Sequence, residues 1–309
     1  MSKQVRSRLN SSQNSTAPSH LPKLLPRKTN WQEVLILLAP AGIWLAVLLV
    51  LPTLIIFELS LVPGFRPGNI VNPSGVDNYL LVFQPLYLQV IGRSLFFAIG
   101  STVICLLLGF PVAYWIAVLT PWRWRNLLLL SFVLPLWTSS LLRSYAWITI
   151  LRPTGLLNTV LTSLKLPALE LLNTGSAVLI GMSYSLLPYM VLILYASLEK
   201  LDRRLLEAAA DLGANSVQIF WRVTVPQTLP GIAVGSLLVF ITGIGDFINP
   251  ELLGGASSMT IARLIYNQFL GVAQNWGFGS ALSMVLVLTV SIAIALLIKY
   301  SGNSTSRRF

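Results

Sequence analysis

The chain has 309 residues, of which 55% are hydrophobic and only 10% are charged, and its mean hydropathy is +0.75. Soluble domains carry roughly 25% charged residues, so this composition excludes a soluble globular protein and predicts an integral membrane protein. The formal net charge of +11 does not require a nucleic-acid partner, because membrane topology also concentrates lysine and arginine. With one cysteine, Cys105, and one histidine, the sequence predicts no intrachain disulfide and no metal centre of the histidine–cysteine kind.

Six apolar segments follow a polar, basic N-terminal region. Residues 1–32 contain six basic residues and no acidic one, and they are too long and too polar for a cleaved signal peptide, so they predict a disordered cytoplasmic tail. Each apolar segment approaches or exceeds the roughly 20 residues that a membrane-crossing helix needs. The segments are Val34–Leu61, Ile91–Leu119, Leu127–Ile150, Ala177–Leu198, Gly231–Ile248 and Gly277–Ile298. We expect an all-α membrane protein with six transmembrane helices within residues 33–298 and a cytoplasmic tail at residues 299–309.

Basic residues set the expected orientation. If the N-terminus is inside, fifteen of the 21 lysines and arginines fall in cytoplasmic segments, as the positive-inside rule requires. Both termini are then cytoplasmic. Trp137 and Tyr145 fall near the outer end of the third span, where they can anchor the helix in the membrane interface or line a substrate path.

The longer internal cytoplasmic connection, residues 199–226, has the pattern of a surface helix. Leucines recur at helical spacing between residues 201 and 212, which predicts an amphipathic helix. Arg203 and Glu207 lie one turn apart on its polar side and are expected to pair. A helix resting on lipid needs bulky apolar residues along its length, whereas the alanines after Glu207 let another protein approach closely. This pattern favours a docking element.

Capping residues predict where the helices of this connection begin and end. Asp202 fits the N-cap of the first helix. Gly213 follows its last turn, where glycine adopts the left-handed conformation without a steric penalty. Ser216 fits the N-cap of a second, short helix, and Pro226 is expected to end that helix just before the fifth span.

The order Glu207-Ala208-Ala209, Gly213 and, after nine further residues, Val223-Thr224-Val225-Pro226 resembles the signature loop of binding-protein-dependent ABC importer permeases. That family usually has isoleucine and leucine where Val223 and Val225 stand. The resemblance implies the MetI-like fold of type I importers. It also implies that this loop is a pair of coupling helices held in a cleft of a cytoplasmic ATPase, with Glu207 contacting the ATPase and Gly213 making the turn.

Longer stretches at residues 78–98, 135–158 and 245–255 resemble the spermidine/putrescine permeases, specifically their PotB-type subunit. The resemblance implies an ATP-driven importer of the inner (plasma) membrane that works by alternating access. The implied partners are a dimer of ATP-binding subunits, a second permease subunit, an extracytoplasmic substrate-binding protein and membrane lipid. Permeases for iron, sulfate and thiamine share this scaffold, so another small solute remains an alternative cargo.

The sequence has no catalytic or nucleotide-binding motif of its own. No lysine follows a glycine, so the phosphate-binding motif G-x-x-x-x-G-K-[ST] is absent, and no Ser/His/Asp arrangement is possible in the membrane part. We expect no enzymatic activity and no cofactor, with ATP hydrolysis left to a partner subunit. A secondary transporter without an ATPase is an alternative, but it predicts internal repeats that are not evident and leaves the loop unexplained.

Ionisable residues toward the outer ends of the spans mark a candidate substrate path. A charge at a helix centre costs roughly 2.5–3.5 kcal/mol on insertion scales, so such residues are functional candidates. Asp246, together with Glu58, can help a polycation cross the membrane. Alternatively, Arg143 forms a structural ion pair with one of these two acids, or the acids are simply exposed at the outer interface. At the start of the fifth span, Gly231-x-x-x-Gly235 predicts close helix packing.

Overall fold

The computed structural model describes residues 31–68 and 75–305, and within these ranges the regular structure is helical, with no β-strand. The helices, numbered in chain order, are α1 (Trp31–Ser60), α2 (Asp77–Val82), α3 (Pro85–Tyr114), α4 (Trp122–Trp137), α5 (Ser140–Leu151), α6 (Leu156–Ser163), α7 (Gly175–Leu198), α8 (Arg203–Asp211), α9 (Ser216–Ile219), α10 (Val225–Ile244), α11 (Ile248–Leu253), α12 (Ile261–Leu270) and α13 (Trp276–Thr305). A π-helical turn at Trp115–Leu119 extends α3, and a second at Phe220–Thr224 joins α9 to α10.

The chain divides into two compact units after Thr53. The described part of the first unit is α1 as far as Thr53. The second unit begins at Leu54 and contains the last turns of α1 and all the other helices. Residues 1–30, which make up most of the predicted N-terminal tail, lie outside the described residues.

Five segments of the described chain are long and apolar enough to cross a membrane. They are Leu38–Ser60, Pro85–Leu119, Gly175–Leu198, Ser216–Ile244 and Trp276–Ala295. A sixth results if the bent pair Trp122–Trp137 and Ser140–Ser163 counts as one span. Each of the six segments expected from the sequence overlaps one of these, and the fifth begins earlier than expected because α9 and its π turn run directly into α10.

The third expected span, Leu127–Ile150, is two helices instead of one. The axes of α4 and of the helices after it differ by 94°. Thr138 and Ser139 are extended at the bend, with ψ of 147° and 137°. Pro135 lies just before it, and proline weakens a helix because it has no N–H to donate. The Thr138 hydroxyl donates to the Pro135 carbonyl (2.7 Å) and closes the end of α4.

Helices α3, α7 and α10 pack together through small residues to form the main core. Gly109 of α3 lies against Met190 of α7, where an added Cβ would stand 3.2 Å from Met190 Cγ. On α10, Gly235 faces Met190 and Gly231 faces Ser197, and a side chain at Gly231 would overlap Ser197. The close packing predicted for Gly231-x-x-x-Gly235 is therefore confirmed.

Candidate functional site

The turn after α8 has the geometry that the sequence predicts. Asp202 caps the start of the helix, and its Oδ1 accepts the N–H of Arg204 (3.0 Å). Gly213 has φ of +82°, in the left-handed region. The N–H of Gly213 donates to the Ala210 carbonyl (2.9 Å) and the N–H of Ala214 to the Ala209 carbonyl (3.1 Å). These two bonds form a Schellman motif, which satisfies the last carbonyls of the helix.

The start of α9 corrects two predictions. The N-cap is Asn215 and not Ser216: Asn215 Oδ1 accepts the N–H of Gln218 (2.8 Å), and Gln218 Oε1 accepts the N–H of Asn215 (3.0 Å). This capping box satisfies two donors at once, which a serine one residue later does not. Pro226 does not end the helix either. It lies in the first turn of α10, where a missing N–H breaks the fewest helical bonds.

The surface of the 199–226 connection is uncovered in this chain. Glu207 and Ala208 are exposed and Ala209 is half-buried. Three large apolar side chains are also exposed, Leu212 by 89%, Val217 by 65% and Trp221 by 63%. These side chains lie in the connection between two candidate spans, and exposed apolar residues there favour a contact surface.

Arg203 does not pair with Glu207 as the sequence predicts. Its Nη2 donates instead to the carbonyls of Ala117 and Val118, at 3.4 Å each, in the π turn after α3. In the described residues the only ion pair within 4 Å joins Arg263 to Glu251. The predicted pair was wrong because i, i+4 spacing considers only partners one helical turn apart, whereas Arg203 contacts carbonyls that are distant in the sequence.

An aromatic cluster ties the same connection to the core. The Phe220 ring packs edge-on against Phe110 (5.4 Å between centroids) and Tyr114 (6.0 Å), both on α3. Thr224, one turn later, is fully buried. Phe220 therefore packs the connection against α3, and the π turn that contains Phe220 and Thr224 continues directly into α10.

Asp246 lies at the far end of α10, in the link to α11. Its Oδ1 accepts the N–H groups of Ile248 (3.0 Å) and Asn249 (3.2 Å), and its Oδ2 accepts the Asn249 side-chain amide (2.6 Å). Asn249 is buried, and its Oδ1 accepts from the Ser144 hydroxyl (3.1 Å) on α5. The carboxylate is therefore held in a fixed position by its own link and, through Asn249, by α5.

Asp246 and Arg143 line one cavity of about 270 Å³, together with Tyr189, Ser185 and Thr242 among others. They do not form the direct ion pair that was one interpretation of the sequence. The Nε and Nη1 atoms of Arg143 are buried and have no acceptor within the described chain. The cavity thus offers one carboxylate already bound by three donors and one guanidinium with unfilled donors.

The other three candidates lie elsewhere. Glu58 is exposed near the end of α1, Trp137 is 78% exposed at the end of α4, and Tyr145 is 54% exposed on α5. None of them lines the cavity that holds Asp246. Sequence reasoning missed Asn249, because an asparagine followed by proline indicates only a turn or helix start.

Comparison with known proteins identifies the fold. Residues 109–301 match the family of the binding-protein-dependent transport system inner membrane component. The chain is 42% identical over 267 residues to the spermidine/putrescine transport system permease protein PotB of Haemophilus influenzae, covering 86% of this chain and 92% of that protein.

Two solved transporters share the architecture at low identity. A chain of a bacterial alginate ABC transporter matches with a TM-score of 0.73 and 19% identity, over 88% of this chain and 94% of that one. A chain of the MetNI methionine ABC transporter matches with a TM-score of 0.52 and 16% identity, over 72% and 95%. The chain therefore belongs to the binding-protein-dependent transport system inner membrane component family, as a multi-pass ABC importer permease with the MetI-like fold.

Proposed function

We propose that this permease carries spermidine or putrescine inward, and that α8 and α9 receive the energy for transport from a cytoplasmic ATPase dimer. A second permease subunit completes the path, and an extracytoplasmic binding protein delivers the substrate. Both termini are cytoplasmic, and the chain itself catalyses no reaction. Closure of the ATPase dimer moves the 199–226 connection, and the core helices alternate between outward and inward access.

The observation that carries the ATPase proposal is the uncovered surface of α8 and α9. It combines an acidic residue, small alanines and three exposed apolar side chains, beside a turn fixed by a Schellman motif. Phe220 links this surface to α3, so a force applied at Glu207 reaches the core. A helix that only rests on lipid needs no such rigid connection to the bundle.

Substitution Glu207→Lys tests the docking role. Reversing this charge should abolish ATP-driven uptake and weaken retention of the ATPase during purification, because the contact then repels its partner. Asp211→Lys is the matched control, since it makes the same charge change on an exposed residue one turn later in α8. Undiminished uptake by Glu207→Lys, or an equal loss in both variants, would contradict a specific contact at Glu207.

Similarity to a spermidine/putrescine permease supports the choice of substrate class. Asp246 adds a carboxylate within the membrane part of the chain, which suits an ammonium group. Uptake of labelled putrescine should be suppressed by excess spermidine and unaffected by sulfate or thiamine when the cognate binding protein is present. No uptake of labelled putrescine, together with uptake of labelled sulfate or thiamine, would replace the polyamine with that solute.

Substitution Asp246→Asn tests the substrate path. It should lower polyamine uptake strongly, because it removes the charge and places an amide donor opposite the Asn249 side chain. Asp246→Glu separates charge from geometry and should retain more uptake than Asp246→Asn. Glu58→Gln is the control and should have little effect, since Glu58 lies outside the cavity. Normal uptake by Asp246→Asn at normal complex levels would refute the assignment.

A further inference from the structure

A second cavity lies beside the start of α8, where the extension of α3 meets α4. It has a volume of about 500 Å³. Its walls are the last residues of the π turn, the Thr120–Pro121 link, Trp122, Arg125 and Arg203. It therefore contains two guanidinium groups and no carboxylate.

Neither guanidinium has an acidic partner among the described residues. Arg125 Nε donates to the Thr120 carbonyl (2.9 Å), and the guanidinium carbon lies 5.8 Å from the centre of the Trp122 ring. Arg203 contacts only carbonyls, both at 3.4 Å. No carboxylate of the described chain lies within 4 Å of either group. Arg125 also lies beside the Tyr195 hydroxyl, which donates to Glu199 Oε1 (3.0 Å). The remaining donors of both guanidinium groups are available for an anionic ligand.

The start of α4 adds to the positive character of this cavity. Pro121 is the N-cap residue and supplies no side-chain cap, and the first turn contains no acidic residue. The N–H groups of a helix start carry a partial positive charge. Two guanidiniums and a helix start thus converge on one space, a combination that favours a phosphate group, which arginine binds through two parallel hydrogen bonds.

The position of the cavity indicates which class of phosphate-containing ligand it binds. It lies at the junction of two apolar helical segments: Pro85–Leu119, a candidate membrane span by length and composition, and Trp122–Trp137, which belongs to the bent pair that counts as a sixth. Trp122 and Trp124 are 70% and 59% exposed here, and exposed tryptophans at a helix end are typical of the membrane interface. Val118, Leu119 and Pro121 give the cavity an apolar side. A ligand with a charged headgroup and an apolar body fits both the guanidinium groups and the apolar side of the cavity.

The geometry points to a binding site for the phosphodiester headgroup of an anionic phospholipid, held by Arg125 and Arg203. The lipid bridges the α3–α4 junction and the first residue of α8. Its occupancy therefore restrains the 199–226 connection relative to the spans. Basic pockets between membrane helices bind lipid headgroups in this way. The site does not depend on which solute is transported.

Native mass spectrometry of the intact transporter, purified with its ATPase, tests the site. Phosphatidylglycerol retained per complex is compared between the natural chain, Arg125→Gln, Arg203→Gln and Arg123→Gln. Arg123 is the matched control, because it lies in the same turn of α4 but does not line the cavity. Arg125→Gln and Arg203→Gln should each weaken retention about tenfold, the loss of one charged hydrogen bond, and Arg123→Gln should not. Arg203→Lys should restore part of it.

Competition with inorganic phosphate shows whether the site binds a phospholipid headgroup or free phosphate. Radiolabelled phosphate is offered to the delipidated complex, with and without phosphatidylglycerol or neutral phosphatidylcholine. The lipid site is supported if phosphatidylglycerol displaces the bound phosphate and phosphatidylcholine does not. It is also supported if the complex shows no saturable phosphate binding. Phosphate that binds through Arg125 and Arg203 and resists phosphatidylglycerol overturns it. Equal lipid loss in all three glutamine variants, or no loss in any of them, also overturns it.

Discussion

Gly213 ends α8 with φ of +82°, and nothing lies within 4 Å of a Cβ added there. The obstacle to another residue at this position is therefore the backbone conformation and not the available space. In the left-handed region most residues cost roughly 1–2 kcal/mol, whereas asparagine tolerates it better. This difference allows the turn to be tested apart from any loss of contact.

Substitution Gly213→Ala should reduce ATP-driven uptake, because it strains the turn that sets the angle between α8 and α9. Gly213→Asn should retain more uptake than Gly213→Ala despite its larger side chain. Gly92→Ala is the control, since Gly92 lies within α3 in open space and should tolerate alanine. The measurement is uptake normalised to transporter in the membrane. Equal uptake by the alanine and asparagine variants at Gly213 would argue against the strained turn.

The elements differ in how far local sequence determines them. Helix α8 begins after Asp202 and turns at Gly213, as expected, because capping depends on neighbouring residues alone. Arg203 could not be placed in this way, because its acceptors lie in the π turn after α3. The cavity that holds Asp246 was predicted only in part. An ionisable residue in an apolar segment is easily recognised in the sequence, whereas the unfilled donors of Arg143 depend on how α5 packs.

The 94° bend between α4 and α5 shows the same limit at a larger scale. The hydropathy of Leu127–Ile150 shows that the segment is apolar over a length sufficient for a span. It contains no information about whether the helix axis changes direction within the segment. Pro135 indicates that the helix is weak, but proline is tolerated in membrane helices where neighbours satisfy the freed carbonyl. The bend therefore depends on the surroundings of Thr138 and Ser139, which the chain pattern does not reveal.

The contact between α7 and α11 leads to a prediction about packing. A Cβ on Gly181 would overlap Leu253 and stand 2.7 Å from Asn249 Oδ1. Gly181→Ala should therefore destabilise the folded permease by about 1–3 kcal/mol, the usual cost of overpacking. Thermal unfolding of the purified complex measures this, with Gly92→Ala as the control. A Tm unchanged from that of the natural chain would contradict the close contact.

The Gly181→Ala substitution also tests transport, because it displaces Asn249. Asn249 bonds both Asp246 and Ser144, so pushing α11 away from α7 also moves the Asp246 carboxylate. Complexes of Gly181→Ala that do assemble should take up polyamine more slowly per transporter. Slower uptake that disappears when it is normalised to assembled complex would restrict the role of Gly181 to stability.

At the scale of the whole molecule, the two candidate regions lie at opposite ends of α10. The 199–226 connection precedes that helix and Asp246 follows it. The proposed ATPase surface and the proposed substrate cavity are therefore joined by one helix, which packs on α3 and α7 through Gly235 and Gly243. Under the proposed function, a shift of this helix is expected to connect the two regions, because α10 is continuous from Val225 to Ile244.

The orientation of the chain can be tested by cysteine labelling, since the one natural cysteine, Cys105, is buried. Leu212→Cys and Val272→Cys each place a thiol on a highly exposed residue, one on each side of the α10 span. A membrane-impermeant maleimide should label Val272→Cys in intact cells and Leu212→Cys only after permeabilisation. Bound ATPase should then protect Leu212→Cys, and the natural chain should remain unlabelled. The reverse pattern would invert the orientation, and labelling of Leu212→Cys that the ATPase does not reduce would remove that residue from the docking surface.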